Sequence, residues 1–320
     1  MKPAALAYTR REVLLGVAGA ALATPETRNK IYNPRLAAHT SIWLMEAELH
    51  RQSVPEILEP AFTGTARAGY QRVELAPDFL RPEWRDQVLA LLEKQKLEPA
   101  IVSMEGPLDE QEAAEASRRQ VLETARLLMG RGAEFVNFHP AASPESRPRT
   151  TAELDTEAYQ LNRMGQELGQ NGMKLMLAHG SAEMRDSARE WRYVLAHTEA
   201  SLVSFCLDVD TISRAALRPE TLIDTAGPRL RALHLRNTRK GQNEELLRDG
   251  DIHMLAIARL LRQMNYDGFL VVDLAPDKSI ARQHSVATAL GLSRRYVQDV
   301  FGARPGYRPA EMGPHVRKRS

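Results

Sequence analysis

Short apolar runs that stop at a polar side chain recur through the second half of this chain. Phe205-Cys206-Leu207-Asp208, Leu233-His234-Leu235-Arg236-Asn237 and Phe269-Leu270-Val271-Val272-Asp273 each deliver a metal-capable residue at or just past the end of the run. Helix-like stretches separate them. Apolar runs of this length without alternation are what strands buried on both faces look like. The same alternation of strand and helix continues along the chain, which predicts parallel strands joined by right-handed crossovers. Eight such units favour a closed α/β barrel of the (β/α)8 type over an open doubly wound sheet. No Gly-x-Gly-x-x-Gly turn follows an early strand, which argues against a dinucleotide fold. In such a barrel, side chains at the carboxyl ends of the strands share one mouth. Asp208, His234 and Asp273 are therefore expected to meet there.

With 320 residues, 43% of them hydrophobic, the chain can bury one large core. The formal charge of +2 owes much to the first 23 residues, which hold Lys2, Arg10, Arg11 and Glu12; without them 40 basic and 40 acidic residues remain. A neutral body offers no electrostatic reason to expect nucleic acid or an acidic membrane surface as partner. The single cysteine, Cys206, excludes an internal disulfide and a cysteine-rich zinc site. Its place inside an apolar run fits buried packing.

The domain reading has three parts. Residues 1–23 are read as a twin-arginine-type signal peptide. Thr9-Arg10-Arg11-Glu12-Val13-Leu14-Leu15 carries the paired arginines, an apolar stretch runs from Val13 to Ala23, and Ala21-Leu22-Ala23 supplies small residues for cleavage. That stretch is too short to span a bilayer, so stable membrane insertion is not expected. The opposing reading is an amphipathic first helix of the barrel, which Gly16 and Gly19 weaken. Export to the periplasm or beyond follows from the signal. Residues 30–300 are read as the barrel, and 301–320, with Pro305, Pro309 and Pro314, as an irregular tail without chemistry.

Strands are expected at 36–41, 72–75, 98–104, 134–138, 173–178, 202–207, 230–235 and 269–272. Helices are expected at 53–68, 82–96, 109–130, up to 172, 183–198, 219–226, 252–264 and 279–300. Asp109 is expected to cap the helix that it opens, and 237–250 is read as a polar loop.

Several stretches match one known pattern in order and spacing. Gly69-Tyr70-Gln71-Arg72-Val73-Glu74-Leu75 reads as G-x-x-x-V-E-L, and Gly172-Met173-Lys174-Leu175 as the start of a fifth strand. Arg231-Ala232-Leu233-His234-Leu235-Arg236-Asn237 is similar to V-H-L-K-D. Arg248-Asp249-Gly250-Asp251-Ile252, Asn265-Tyr266-Asp267-Gly268 and Val271-Val272-Asp273 follow the ending G-x-G-D-I-D … I-G-Y-D-G-x-L-V-V-E. From about Arg35 to Val300 the chain thus resembles the xylose isomerase-like TIM-barrel superfamily. That superfamily holds sugar isomerases and epimerases, inosose dehydratases and the family-2 apurinic endonucleases.

The resemblance implies a divalent metal ion (Mn, Mg, Co or Zn) held by two glutamates, an aspartate and a histidine. By position Asp208 resembles the aspartate and His234 the histidine. The strand-eight glutamate has become Asp273, one methylene shorter. The strand-five glutamate falls on Ala178, which cannot ligate. For Asp208 an N-cap or loop salt bridge stands beside the ligand reading, and for Asp273 a capping role does. His179, next to Ala178, is the candidate substitute ligand or base, against an ordinary loop histidine. His139 and Glu74, at the ends of strands four and two, are candidate substrate contacts; Glu74 equally fits a brace under the mouth. Arg239 and Lys240 are candidate substrate-binding cations, against solvated loop charges. Trp43 is either a sugar-facing wall or packing.

The implied activity is metal-assisted proton transfer next to the carbonyl of a carbohydrate or polyol, as in an isomerase or epimerase, with Asp273 or His179 as the base. One base and a metal also suffice for a lyase or dehydratase acting on keto-glycosides or inososes. A non-catalytic sugar-binding barrel is the third reading, since Ala178 breaks the usual ligand set. A nuclease would need a basic groove, which the neutral charge opposes. A homo-oligomer is compatible with the sequence, which does not specify one.

Overall fold

Each barrel strand puts every second residue inside. In β4 (Phe135–Pro140) Val136 and Phe138 pack outward against helices, while Phe135, Asn137 and His139 alternate on the other face. Both faces are buried, which is why these strands read as apolar runs. The remaining barrel strands are β1 (Arg35–His39), β2 (Arg72–Leu75), β3 (Glu98–Gly106), β5 (Lys174–Leu177), β6 (Val203–Asp208), β7 (Leu230–Leu235) and β10 (Phe269–Val272). They close in the order β1-β10-β7-β6-β5-β4-β3-β2, all parallel, with β2 pairing back onto β1. This is a computed structural model that describes residues 31–142, 147–277 and 282–302. The proposed signal peptide, and the tail beyond Gly302, lie outside the described residues.

Helices surround the barrel: α1 (Ser41–His50), α2 (Val54–Arg67), α3 (Arg85–Gln95), α4 (Gln111–Leu128), α5 (Thr151–Gln170), α6 (Arg185–His197), α7 (Val209–Arg214), α8 (Pro219–Ala226), α9 (Met254–Gln263) and α10 (Val286–Phe301). The first turn of α6 is broken by Asp186, Ser187 and Ala188, all in the left-handed region. No helix among the described residues is long and apolar enough to cross a membrane.

Two cores result. The larger lies between strands and helices, with Phe62, Phe79, Phe138 and Trp191 among its members. The smaller fills the barrel itself with Ala37, Ile101, Phe135, Met176, Cys206 and Phe269. At its floor the Phe135 and Phe269 rings meet edge to face, and the Arg35 guanidinium stacks on Phe269 at 3.9 Å. Cys206 is buried there, as its apolar neighbours implied.

Some elements depart from expectation. α1 starts after a single intervening residue, Thr40, and α7 directly after β6, in stretches where the sequence reading placed no helix, although it allowed Asp208 as an N-cap. Asp109 does not cap α4; the helix starts after Glu110, which makes no capping bond. The loop after β7 contains a small hairpin, β8 (Thr238–Arg239) with β9 (Gln242–Asn243). Asn237 organises it: Nδ2 donates to the carbonyls of Arg248 and Ile252, and Oδ1 accepts from the amides of Thr238 and Ile252. Gly250 is needed there, because a Cβ would come within 2.2 Å of the Thr238 carbonyl.

Candidate metal centre at the barrel mouth

The inward alternation carries through to the strand ends. Cys206 points into the barrel, so Asp208 does too; Ala232 sets His234 and then Arg236; Phe269 and Val271 set Asp273. Strand register then joins them. Asp208 pairs with His234 across β6 and β7, and His234 pairs with Val271 across β7 and β10. As a result one ligand atom from each of Asp208, His234 and Asp273 lies within 4.8 Å of the others, and all three residues are buried. One nitrogen and two carboxylate oxygens, with the open side toward a cavity, suit a divalent ion that keeps positions free for substrate.

His234 is held from below. Its Nε2 lies 2.7 Å from Oε2 of Glu74, a fully buried carboxylate at the end of β2. Glu74 Oε1 accepts from Ser103 Oγ at 2.6 Å and from Asn137 Nδ2 at 2.8 Å. Burial works against charge on Glu74, but the imidazoles of His234 and His39 outweigh it and hold the carboxyl well below its usual range. Burial likewise opposes an imidazolium at His234. Cys206 and Glu74 outweigh it, and the group is held well above its ordinary value. The free nitrogen, Nδ1, faces Asp273 Oδ2 at 3.6 Å. A histidine whose far nitrogen meets a carboxylate is the usual support for a metal ligand.

Asp208 serves two purposes, because it has two oxygens. Oδ1 accepts from the amides of Asp210 and Thr211 at 2.9 and 3.0 Å and caps α7. Oδ2 faces the mouth, where Arg236 holds it. Asp273 accepts from Ser41 Oγ through Oδ1 at 3.3 Å and pairs through Oδ2 with Arg236 at 3.3 Å. Burial would raise its carboxyl, but Arg236, His39 and His234 keep it below its ordinary value.

The cavity above these groups measures about 450 Å³. His39, Ser103, Glu105, His139, His179 and Arg236 give it polar walls, and Leu44, Met45 and Met104 an apolar side. A cavity of about 490 Å³ lies beside Leu36, Leu270 and Phe301. None of the three metal-capable residues lines it.

Not every expected site residue stands where the sequence put it. Glu74 does not line the cavity; it braces His234 beneath the floor. His179 lines the cavity, but its Nε2 accepts from the Asp208 amide at 3.0 Å, so that nitrogen orients the aspartate's backbone. Burial keeps His179 below its ordinary value and hence neutral. Arg239 and Lys240 sit on the exposed β8–β9 hairpin, and Arg239 pairs with Glu244 at 2.8 Å. Among the described residues, the arginine or lysine that lines the mouth is Arg236. Trp43 packs away from the cavity and donates through Nε1 to Thr65 at 3.0 Å. His139 does line the cavity. Burial and then the nearby His234 push its imidazole down to about 4, so it is neutral near pH 7. It falls in register with Glu105 of β3, and Ala178 follows Leu177, the partner of Phe138 in β5. Sequence reasoning missed Arg236 and Glu105, yet period two marks both: each lies two residues beyond an inward side chain, His234 and Ser103.

Comparison with known proteins agrees with this architecture. A family profile described as the xylose isomerase-like TIM barrel matches residues 62–295. The inosose dehydratase of Clostridium perfringens is 25% identical over 165 residues, which are 46% of this chain and 54% of that protein. The chain thus spans about half the length of that curated relative. A D-allulose 3-epimerase from Methylomonas sp. superposes with a TM-score of 0.68 at 15% identity, over 84% of this chain and 98% of that one. The IolI protein, solved with a bound zinc atom, gives 0.64 at 13% identity, over 83% and 98%. These likenesses to solved structures show the fold. By the extent of the profile match, this chain belongs to the xylose isomerase-like TIM-barrel family.

Proposed function

We propose that this protein is a divalent-metal-dependent enzyme that moves a proton next to the carbonyl of a carbohydrate or polyol, as sugar isomerases and epimerases do. The observation that carries the reading is the convergence of one ligand atom each from Asp208, His234 and Asp273 at one mouth, below a sugar-sized cavity. Asp208, His234 and Asp273 would hold the ion, and the family relationship and zinc-bearing IolI support this assignment. A bound divalent ion supplies polarisation of the carbonyl and its neighbouring hydroxyl.

The chain's own residues do the rest. Asp273 is a carboxylate and His139 a neutral imidazole, so either can accept a carbon-bound proton. Their strands, β10 and β4, lie four places apart in the eight-stranded ring, on opposite sides of the mouth. A substrate between them presents one face to each. The Glu105 carboxylate on the cavity wall can accept from hydroxyls, and the side formed by Leu44, Met45 and Met104 meets the C–H surface of a ring.

A second reading has its own support. Ala178 removes the strand-five carboxylate, and curated relatives that match include inosose dehydratases. Elimination of a leaving group needs no returned proton, so a dehydratase or lyase on the same site follows with Asp273 or His139 as base. The deciding experiment is incubation in deuterium oxide with ketoses, keto-glycosides and inososes, with and without added Mn, Co or Zn, followed by proton NMR. Deuterium at one carbon of a rearranged product identifies an isomerase or epimerase. Loss of a hydroxyl or aglycone identifies a lyase. No exchange with any substrate in metal-loaded protein overturns both and leaves a sugar-binding barrel.

A further inference from the structure

The metal-capable residues leave few oxygens for an ion. Asp208 Oδ1 is taken by two backbone amides of α7, so only Oδ2 is available. On Asp273, Oδ1 accepts from Ser41 Oγ, and Oδ2 is the oxygen that faces His234 Nδ1. Arg236 holds both of the remaining oxygens: NH2 bonds Asp208 Oδ2, and NH1 lies 3.3 Å from Asp273 Oδ2. Its third nitrogen, Nε, lies 3.3 Å from Oδ2 of Asp210, itself buried. One half-buried guanidinium thus faces three buried carboxylates, of which Asp210 is also paired with Arg214 at 2.9 Å.

The placement follows from register. Val272 pairs with Leu235, so Arg236 is level with Asp273 and two residues above His234 on the same inward face. The resembling motif carries lysine at this position. A lysine ends in one point charge, whereas the planar fork of arginine can bridge two carboxylates at once.

We infer that Arg236 is a built-in counter-cation of the metal centre, which holds the two ligand oxygens when no metal is bound and competes with the ion for them. The inference rests on the metal reading above. It assigns Arg236 as a positioning residue that sets metal affinity. Without metal, the guanidinium offsets the Asp208 and Asp273 carboxylates, which would otherwise repel one another in a buried site; Asp210 has Arg214 as a second partner. When metal enters, at least one arm must release its oxygen, and the positive charge left beside the ion lowers the affinity.

The test uses the full chain and the metal alone. Wild type, Arg236→Gln and Arg236→Lys are stripped with chelator and titrated with Zn or Mn by calorimetry, and each metal-free form is melted. Arg236→Gln is expected to bind at least tenfold tighter than wild type and to melt lower without metal. Arg236→Lys is expected to fall between the two. Equal or weaker binding by Arg236→Gln overturns the inference and leaves the metal reading standing. No binding by any of the three overturns both. Should Arg236→Gln fail to fold, the wild type still decides. The Nε–H resonance of Arg236, identified by its absence from the Arg236→Lys spectrum, should shift when metal is added. An unmoved resonance at saturating metal overturns the inference.

Discussion

Nε2 of His234 lies 2.7 Å from Oε2 of Glu74, a residue 160 positions away in sequence and fully buried. The pair directs the other nitrogen of His234 into the mouth and determines which nitrogen can ligate. Glu74→Gln keeps the shape but removes the charge that supports the ligand. Metal affinity should fall by roughly 10- to 100-fold. Isothermal titration with Zn or Mn checks this, and unchanged affinity would mean that His234 needs no such support.

Ala178 occupies the position where relatives are expected to place a carboxylate ligand, and it is 3% exposed. Ala178→Glu should therefore behave differently with and without metal. The metal-free variant should lose about 1–3 kcal/mol from overpacking and an unpaired charge. Added divalent ion should restore that loss and bind more tightly than to wild type. Thermal melts with and without metal measure both; equal destabilisation in the two conditions would show that position 178 cannot reach the ion.

A buried network away from the mouth controls pH dependence. Arg149 faces Glu157, Glu183 and Glu190, at 3.4, 2.8 and 3.0 Å. Burial pushes Glu157 up to about 7, against the pull of Arg149 and with the repulsion of Glu183 and Glu190. Its folded value is raised, so its contribution is complete below the ordinary 4.5 and is lost as pH rises through 7. The loss is on the order of 3 kcal/mol. Glu183, held below its ordinary value, acts only at lower pH. Glu157→Gln should melt less pH-dependently than wild type between about pH 5 and 8. Parallel melting curves for the two proteins across that range would remove Glu157 as the cause.

Cys206 lies in the barrel's inner core, and burial pushes its thiol up. The thiolate is the reactive form. A disulfide reagent should therefore leave native protein unlabelled at pH 8 and react only in denaturant. Rapid labelling of folded protein would show that the interior opens.

Much of the site could be read before folding because two local patterns point to it. Apolar runs ending in Asp208, His234 and Asp273 mark strand ends, and strand ends in a parallel barrel share one side. The strands at 72–75, 230–235 and 269–272 matched the structure to the residue. The short helices α1 and α7 escaped notice because one residue at most separates each from the strand before it, which leaves no loop to mark the change. Arg239 and Lys240 drew attention by proximity in sequence. The hairpin turns them outward, while Arg236, two residues past His234, keeps the inward phase.

The chain's own order of residues determined the barrel and the three convergent side chains, because buried strands with polar ends have few other ways to satisfy both burial and polarity. Only the closed ring of strands decided what each polar group does there. It brought Glu74 under His234, split the two oxygens of Asp208 between a helix cap and the mouth, and set Arg236 level with Asp273. Those roles depend on register between strands distant in sequence, and a distance between side chains from separate strands exists only once the ring is closed.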